Sequence, residues 1–284
     1  MNVTIIGSGQ HADVRRRVVE ARSGAAQLVQ HARVPDLAEQ DPAAALPNAL
    51  FEDTDVALVT VPTASHYYVA QAAARHGVHL FLEWPPATSI RECESIVQLA
   101  EEAGVEVGIS RPLRFHPLLD ALDGRRVHLI VLRQEVDART PAFWPPRCAD
   151  ALDLCCALAR SHSIQRIDAE AVPRHAAWPE AIAFALRFHS GTYAQVSLYR
   201  RQQPGDDLLY VAGADFQLES DLDGTALHGR PALGDAATSD VRSPVEQETT
   251  AFLDALAAGH IPPVTALDGL HTMRLVERLM EQLR

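Results

Sequence analysis

The sequence predicts an α/β protein, with a parallel α/β domain over residues 1–117 and an α+β domain over residues 118–284. Apolar, β-branched runs alternate with amphipathic helical segments at least four times before residue 110. This alternation indicates a parallel sheet covered on both faces, because parallel neighbours are joined by crossover helices. Beyond residue 117, strand-like runs follow one another more directly, which predicts an open, mainly antiparallel sheet.

The N-terminal elements are predicted from length, composition and period. Short apolar runs typical of buried parallel strands cover residues 2–6, 27–31, 56–61, 78–82 and 105–109. Helical periodicity covers residues 11–22, 67–76 and 89–103. The last of these helices begins at Ser89, with Glu92 three residues on, and ends at Gly104, which are typical capping residues.

The C-terminal elements follow from alternating patterns and turn residues. Strands are predicted at residues 126–136, 181–188, 192–199, 208–213 and 215–221, and helices at residues 148–159, 244–258 and 269–283. Residues 224–244 are predicted as a loop. Helices cover one face of an open sheet, so the other face is available to a second copy of the chain. We therefore expect a homo-oligomer.

The composition excludes several classes of partner. With 284 residues and a formal net charge of −12, the chain has no basic run suited to nucleic acid or an anionic membrane. The one basic triplet, residues 15–17, is interpreted as a solvated helix face. No apolar run reaches the roughly 18 residues of a membrane span. The 13 histidines show neither HxxxH nor HxH spacing, so no metal site is expected.

The predicted location is the cytoplasm. A strand-like run begins at residue 2, which leaves no room for a signal peptide. The four cysteines (Cys93, Cys148, Cys155 and Cys156) lack CxxC spacing, so we expect buried thiols in a reducing compartment.

The first strand leads into a glycine-rich turn, Gly7-Ser8-Gly9-Gln10-His11-Ala12. Glycines allow the tight turn and the approach of backbone to a pyrophosphate, while the following helix N-terminus offers N–H groups. An ordinary structural turn is the alternative. The position of this turn between a strand and a helix favours a Rossmann dinucleotide-binding domain.

The position that binds the adenosine ribose lacks the acidic residue typical of NAD-binding domains. An acidic residue is expected roughly 20 positions on, at the end of the second strand. The nearest residues here are His31 and Arg33. Arg33 suits the 2′-phosphate of NADP, which slightly favours NADP over NAD, although an exposed arginine without a function is the alternative.

Several segments together resemble the Gfo/Idh/MocA family (glucose–fructose oxidoreductase, inositol dehydrogenase and rhizopine-catabolism proteins). They are residues 7–12, residues 55–62 with His66, residues 76–85 with Glu83-Trp84-Pro85, residues 114–117, and residues 263–269. The resemblance implies a Rossmann domain followed by a domain on an open sheet, through which dimers or tetramers form. It also implies activity on sugars, polyols or related carbonyl compounds.

The motif and the resemblance together give a set of candidate site residues. The cofactor-binding candidates are Gly7, Gly9, Gln10, His11, Arg33, Val61, Pro62, Glu83, Trp84, Pro85 and Arg114. For Arg114, a pair with a carboxylate at the domain interface is an equal alternative. The catalytic candidates are Asp150, Trp84 and His66. His66 has a structural alternative, since a histidine at a helix start also satisfies backbone groups.

Two departures from the family pattern concern proton transfer. Trp84 stands where the family has the lysine of Glu-Lys-Pro, and indole has no proton that titrates near neutrality. Asp150 stands where the family has a histidine three residues before an aspartate, here Asp153. We therefore expect an NAD(P)-dependent oxidoreductase acting on a small sugar-like, carbonyl or imine substrate with non-standard catalytic residues. A non-catalytic dinucleotide-binding regulator and a redox-neutral enzyme are the alternatives.

Overall fold

In the computed structural model of the chain, the described residues are 1–22, 24, 26–32, 48–122, 124–136, 144–173, 179–200, 207–224, 226–230 and 242–283. They form two units, each built from two stretches of sequence. Unit 1 comprises Met1–Pro112 and Arg242–His271, and unit 2 comprises Leu113–Val241 and Thr272–Arg284. This discontinuity was not part of the sequence-based prediction.

Unit 1 contains a five-stranded parallel sheet in the order β2-β1-β3-β4-β5. Its strands are β1 (Asn2–Gly7), β2 (Gln27–Ala32), β3 (Val56–Thr60), β4 (His79–Leu82) and β5 (Val107–Ile109). The central strands are buried throughout, as their apolar composition requires. The predicted parallel sheet is confirmed.

Among the described residues, four α-helices lie wholly within unit 1. They are α1 (Gln10–Ala21), α2 (His66–Arg75), α3 (Ile90–Ala103) and α6 (Pro244–Ala257). The side chain of Ser89 caps α3, which ends at Gly104 in a left-handed conformation. Helix α6 begins with a capping box formed by Ser243 and Glu246. Phe252 of α6 packs in the same apolar cluster as β1 and α1.

Unit 2 contains a seven-stranded mixed sheet in the order β12-β11-β10-β6-β9-β8-β7. Its strands are β6 (Leu129–Val136), β7 (Ile164–Val172), β8 (Ala181–Phe188), β9 (Tyr193–Arg200), β10 (Leu208–Ala212), β11 (Gln217–Ser220) and β12 (Leu227–Arg230). Only the β6–β9 pair is parallel among these described strands, so the prediction of an open, mainly antiparallel sheet is confirmed. The sequence pattern does not predict β7, and it predicts a loop where β12 lies.

The other α-helices in the part of the chain that the structure describes are α4 (Pro117–Ala121), α5 (Trp144–Ala159) and α7 (Ala266–Gln282). Helix α5 is buried along most of its length and packs on β6 and β9. Alternate residues of β6, β8 and β9 point into the same core as α5. None of the helices among the described residues is both long and apolar enough to cross a membrane.

Candidate functional site

The turn between β1 and α1 depends on two glycines for different reasons. At Gly7, with φ 124°, an added Cβ would lie 2.5 Å from the carbonyl carbon of Thr60 in β3. Gly7 therefore lets the turn pack against the neighbouring strand. At Gly9, with φ 106°, an added Cβ would have no protein atom within 4 Å. Gly9 therefore keeps space open above the start of α1.

The first turn of α1 has the features of an anion site. Gly9 is its N-cap, and no side chain caps it. Gln10 and His11 are exposed beside it. Backbone N–H groups at a helix N-terminus, with an open glycine cradle, suit the pyrophosphate of a dinucleotide. The residues present therefore fit the cofactor that the motif predicts.

The end of β2 carries an imidazole rather than a carboxylate. His31 lies with Nε2 3.1 Å from the carbonyl oxygen of Gly7 and can donate a hydrogen bond to it. This contact joins the end of β2 to the glycine turn. Arg33, the predicted reader of the ribose phosphate, lies outside the described residues, so its role stays a prediction.

The segment after β3 contains Val61, which is buried, and Pro62, which is exposed. His66, at the start of α2, is fully buried, with Nδ1 3.0 Å from Pro85 O and Nε2 3.1 Å from Val61 O. Burial lowers the pKa of His66, although its backbone contacts oppose that effect. These contacts join the segments after β3 and β4 and favour a structural role. The predicted catalytic role of His66 stays a prediction.

Glu83, directly after β4, binds two side chains of helix α1. Its Oε1 lies 2.5 Å from Nη1 of Arg15 and 3.1 Å from Nδ1 of His11. Burial pushes the pKa of Glu83 upward, but the His11 hydrogen bond and the Arg15 charge outweigh it, so the pKa lies below its usual value. The same hydrogen bond raises the pKa of His11. Glu83 thus fixes the segment after β4 to the start of α1.

The interpretation of residues 15–17 as a solvated face was wrong for Arg15, which is 0% exposed. Its guanidinium carbon lies 4.6 Å from the centre of the Phe81 ring, and Nη2 lies 3.3 Å from Oε1 of Glu248 on α6. A buried guanidinium needs such carboxylates, because desolvating an unpaired charge costs several kcal/mol. The partners come from β4 and α6, far away in sequence.

Glu248 is the second carboxylate of this buried network. It accepts hydrogen bonds from the hydroxyl of Ser110 at 2.7 Å and from the backbone N–H of Arg111 at 2.8 Å. Burial raises the pKa of Glu248 to about 7, against the opposing Arg15 charge and Ser110 hydrogen bond. Glu248 therefore links α6 to the segment that follows β5.

Trp84 is stacked against a buried cation. The guanidinium carbon of Arg111 lies 3.3 Å from the centre of the Trp84 ring, which is a close cation–π contact. Arg111 is 3% exposed, whereas Trp84 and Pro85 are partly exposed. The segment after β4 thus presents an indole backed by an arginine from the segment that follows β5.

In unit 2, Arg114 binds a buried carboxylate through two nitrogens. Its Nε and Nη2 donate to the two carboxylate oxygens of Asp153 at 2.7 and 2.9 Å. This geometry favours the alternative that Arg114 pairs with a carboxylate, and the predicted cofactor contact stays a prediction. Asp150, one turn earlier on α5, lies 3.3 Å from Arg147 and is partly exposed. Its catalytic role also stays a prediction.

Sequence reasoning missed Arg15, Ser110, Arg111 and Glu248. One signal for Arg15 was available, since it lies three residues after Ala12 and four before Val19, both on the buried face of α1. An arginine on such a face requires a buried acid. For Glu248 and Arg111 no local signal exists, because their partners are set by the tertiary fold.

Comparisons with known proteins support the interpretation of unit 1. Residues 1–110 match the family model described as "Oxidoreductase family, NAD-binding Rossmann fold". UDP-N-acetylglucosamine 3-dehydrogenase from Acidithiobacillus ferrooxidans is 29% identical over 75 residues, which is 26% of this chain. That match spans 24% of the relative's length.

Solved structures share the fold over the whole chain. The same Acidithiobacillus ferrooxidans enzyme superposes with a TM-score of 0.83 and 19% identity, over 100% of this chain and 97% of that one. An Agrobacterium radiobacter oxidoreductase, solved with NAD⁺, L-tartaric acid and magnesium, superposes with a TM-score of 0.77 and 16% identity. The superposition covers 100% of this chain and 96% of that one. Biliverdin reductase from Synechocystis, solved with biliverdin and NADP⁺, superposes with a TM-score of 0.71 and 19% identity. The superposition covers 99% of this chain and 98% of that one. At these identities the comparison shows the two-domain fold.

Proposed function

Because residues 1–110 belong to the Gfo/Idh/MocA family of oxidoreductases, we propose that the protein is an NAD(P)-dependent oxidoreductase acting on a sugar-like substrate. The observation that carries the proposal is the open space around Gly9, the N-cap of helix α1, whose N-terminus no side chain caps. A bound NAD(P) would accept or donate the hydride. Gly7, Gly9 and the first turn of α1 would hold its pyrophosphate.

The substrate class rests on the relatives. The activity named for the Acidithiobacillus ferrooxidans enzyme makes a sugar nucleotide the first substrate to test. Other small carbonyl or imine compounds follow. Among the cofactors we favour NADP, because Arg33 suits a 2′-phosphate and because His31, near the end of β2, stands in place of an acid.

The proton-transfer group is a non-standard one in this proposal. Trp84 cannot supply it, because an indole N–H does not titrate near neutrality. The nitrogens of His66 face backbone carbonyls in a buried site. Asp150 or water is therefore the group we propose. We place the reaction in the cytoplasm, where the four buried cysteines suit a reducing compartment.

One observation favours a second candidate function. The indole of Trp84 covers Arg111 at the position where the family has its lysine. A protein that kept the dinucleotide site but lost proton transfer would bind NAD(P) without turnover. The second candidate is thus a dinucleotide-binding regulator.

Binding and turnover separate these candidates. We would measure NADPH and NADH affinity by calorimetry for the wild type, Gly9→Ala and the matched control Gly104→Ala. Both glycines have positive φ and open space around an added Cβ, but Gly104 precedes β5 at the opposite edge of the sheet. We expect Gly9→Ala to weaken binding at least about tenfold, because its methyl group fills the cradle, and Gly104→Ala to leave affinity unchanged.

Turnover is then followed as loss of reduced nicotinamide absorbance against a panel of keto-sugar nucleotides, other carbonyl compounds and imines. Turnover by the wild type supports the oxidoreductase; its loss in Asp150→Asn assigns proton transfer to Asp150, and its persistence assigns proton transfer to water. Binding without turnover across the panel supports the regulator. No dinucleotide binding by the wild type would reject both.

A further inference from the structure

Two histidines lie on opposite sides of the glycine turn between β1 and α1. His31, on β2, contacts the carbonyl oxygen of Gly7. His11, in the first turn of α1, contacts the segment directly after β4, with Nδ1 3.1 Å from Oε1 of Glu83. In the strand order β2-β1-β3-β4-β5, β2 and β4 lie on different sides of β1. The side chain of His11 is therefore on the β4 side of the turn.

A dinucleotide bound across this turn has one half on each side of β1. The residue that binds the adenosine ribose in such folds is at the end of the second strand, so the adenosine half extends toward β2. The nicotinamide half then extends the opposite way, over β3 and β4. His11 is thus on the side of the turn where the nicotinamide half begins.

The imidazole of His11 is held through one nitrogen and open to ligand at the other. Its polar contact among the described residues is made by Nδ1, and 48% of the side chain is exposed. The Glu83 hydrogen bond raises the pKa of His11. This favours the imidazolium, in which both ring nitrogens are donors. Nε2–H is then a charged donor beside the first turn of α1, which no side chain caps.

The charged groups around His11 come from three elements. Glu83 after β4 and Glu248 on α6 favour the charged imidazole, and Arg15 on α1 opposes it. Oε1 of Glu83 is shared between His11 and Arg15, so the arginine offsets the negative charge that an approaching anion would meet. The side chains of Arg15 and Glu248 are 0% and 2% exposed. Of these four groups, His11 is therefore the cation that a phosphate can reach.

We propose that the side chain of His11 binds the phosphate of the nicotinamide half of the dinucleotide and determines specificity for that half. The inference rests on the proposed function, since it requires that NAD(P) binds. It adds a charged side chain to the backbone N–H groups that the glycine turn offers to the pyrophosphate. The positive end of the α1 dipole lies at the same place and strengthens the attraction.

The expected effects follow from the loss of one charge-assisted hydrogen bond. His11→Gln keeps a polar side chain but has no charge, so we expect the Kd for NADPH to rise about tenfold. His11→Lys keeps a cation in the first turn of α1 and should recover most of this affinity. Because His11 is half-exposed and Glu83 keeps its Arg15 partner, both variants should retain the fold.

The test separates the two phosphates with mononucleotides. Reduced nicotinamide mononucleotide carries the nicotinamide-side phosphate, and 2′,5′-ADP carries the adenosine-side phosphate. Kd is measured at one mildly acidic pH and fixed ionic strength, by calorimetry for NADPH and NADH and by NMR titration for the mononucleotides. We expect His11→Gln to weaken the dinucleotides and reduced nicotinamide mononucleotide about tenfold and to leave 2′,5′-ADP unchanged.

His76→Gln is the matched control. His76 is also exposed in unit 1 and also has Nδ1 in a hydrogen bond, with the carbonyl oxygen of Ala72. It precedes β4, so it lies at the opposite end of the sheet from the glycine turn. We expect this substitution to leave all four Kd values unchanged.

Three outcomes overturn the inference. An unchanged Kd for NADPH in His11→Gln rejects it and leaves the proposed function intact. An equal loss of affinity for both mononucleotides, or a loss in His11→Lys as large as in His11→Gln, shows a structural effect on the whole turn and also rejects it. Failure of the wild type to bind NADPH or NADH rejects the proposed function and this inference with it.

Discussion

Replacing Glu248 with glutamine tests how the carboxyl proton of Glu248 contributes to the stability of the buried network in unit 1. Burial raises the pKa of Glu248 from 4.5 to about 7, so the folded protein binds this proton more tightly than the unfolded chain does. A raised carboxyl pKa contributes stability that is fully present below about pH 4.5. That stability is lost as the pH rises toward and through about 7.

The magnitude follows from the shift. A pKa change from 4.5 to about 7 corresponds to about 3 kcal/mol of unfolding free energy, of which about 2.5 kcal/mol is lost between about pH 5 and about pH 8. Glutamine at this position has no proton to lose. The wild-type unfolding free energy minus that of Glu248→Gln should therefore fall by that amount across this range. Taking this difference cancels the titration of the histidines.

The assay is urea unfolding across this pH range at fixed ionic strength. Trp84 is the tryptophan of unit 1, so its emission is followed in a background where Trp144 and Trp178 are phenylalanine. Exposed Glu101 gives the matched control, Glu101→Gln, whose difference from the parent should stay flat. A Glu248→Gln difference that is flat, or that rises with pH, would show that the three donors around Glu248 hold it ionised and would refute the reasoning.

Four further predictions follow from contacts described above. Gly7→Ala should lower unfolding free energy by about 3 kcal/mol or more, measured by urea titration, because its Cβ meets the β3 backbone. Asp153→Asn should cost about 3 kcal/mol by leaving a charge without its partner, and adding Arg114→Met should recover part of that loss. Affinity for NADPH should fall as pH rises through the raised pKa of His11, and His11→Gln should flatten this profile in calorimetry. If copies pair through the outer face of the unit 2 sheet, Tyr210→Glu should convert an oligomer to a monomer in light scattering; a monomeric wild type would reject that proposal.

The sequence predicted the elements whose signals are local. The glycine turn at Gly7 and Gly9, the parallel strands of unit 1 and the caps of α3 follow from composition and spacing within a few residues. The β7 strand was missed because its pattern, with a bulge near Arg166, does not alternate strictly. Short β12 lies in a stretch whose glycines and prolines indicated a loop.

The site was predicted less completely than the fold. Glu83 and Trp84 were predicted as site residues, but no local pattern indicates that Arg15 and Arg111 contact them. Those contacts join residues from β4, α1 and the end of β5, which only the tertiary fold brings together. Local spacing cannot encode a carboxylate more than 230 positions away, as the Arg15–Glu248 separation shows.

The late position of α6 in the chain has a consequence for biosynthesis. Unit 1 has a core that includes Phe252 and Leu253, and its buried Arg15 binds Glu248 from the same helix. A nascent chain that has emerged only as far as β5 therefore exposes the Phe81 surface and leaves Arg15 with one carboxylate instead of two. Domains usually fold from the N-terminus as they leave the ribosome. Here unit 1 is complete only after α6 has emerged, so chaperone contact during translation should concentrate on α1 and β4.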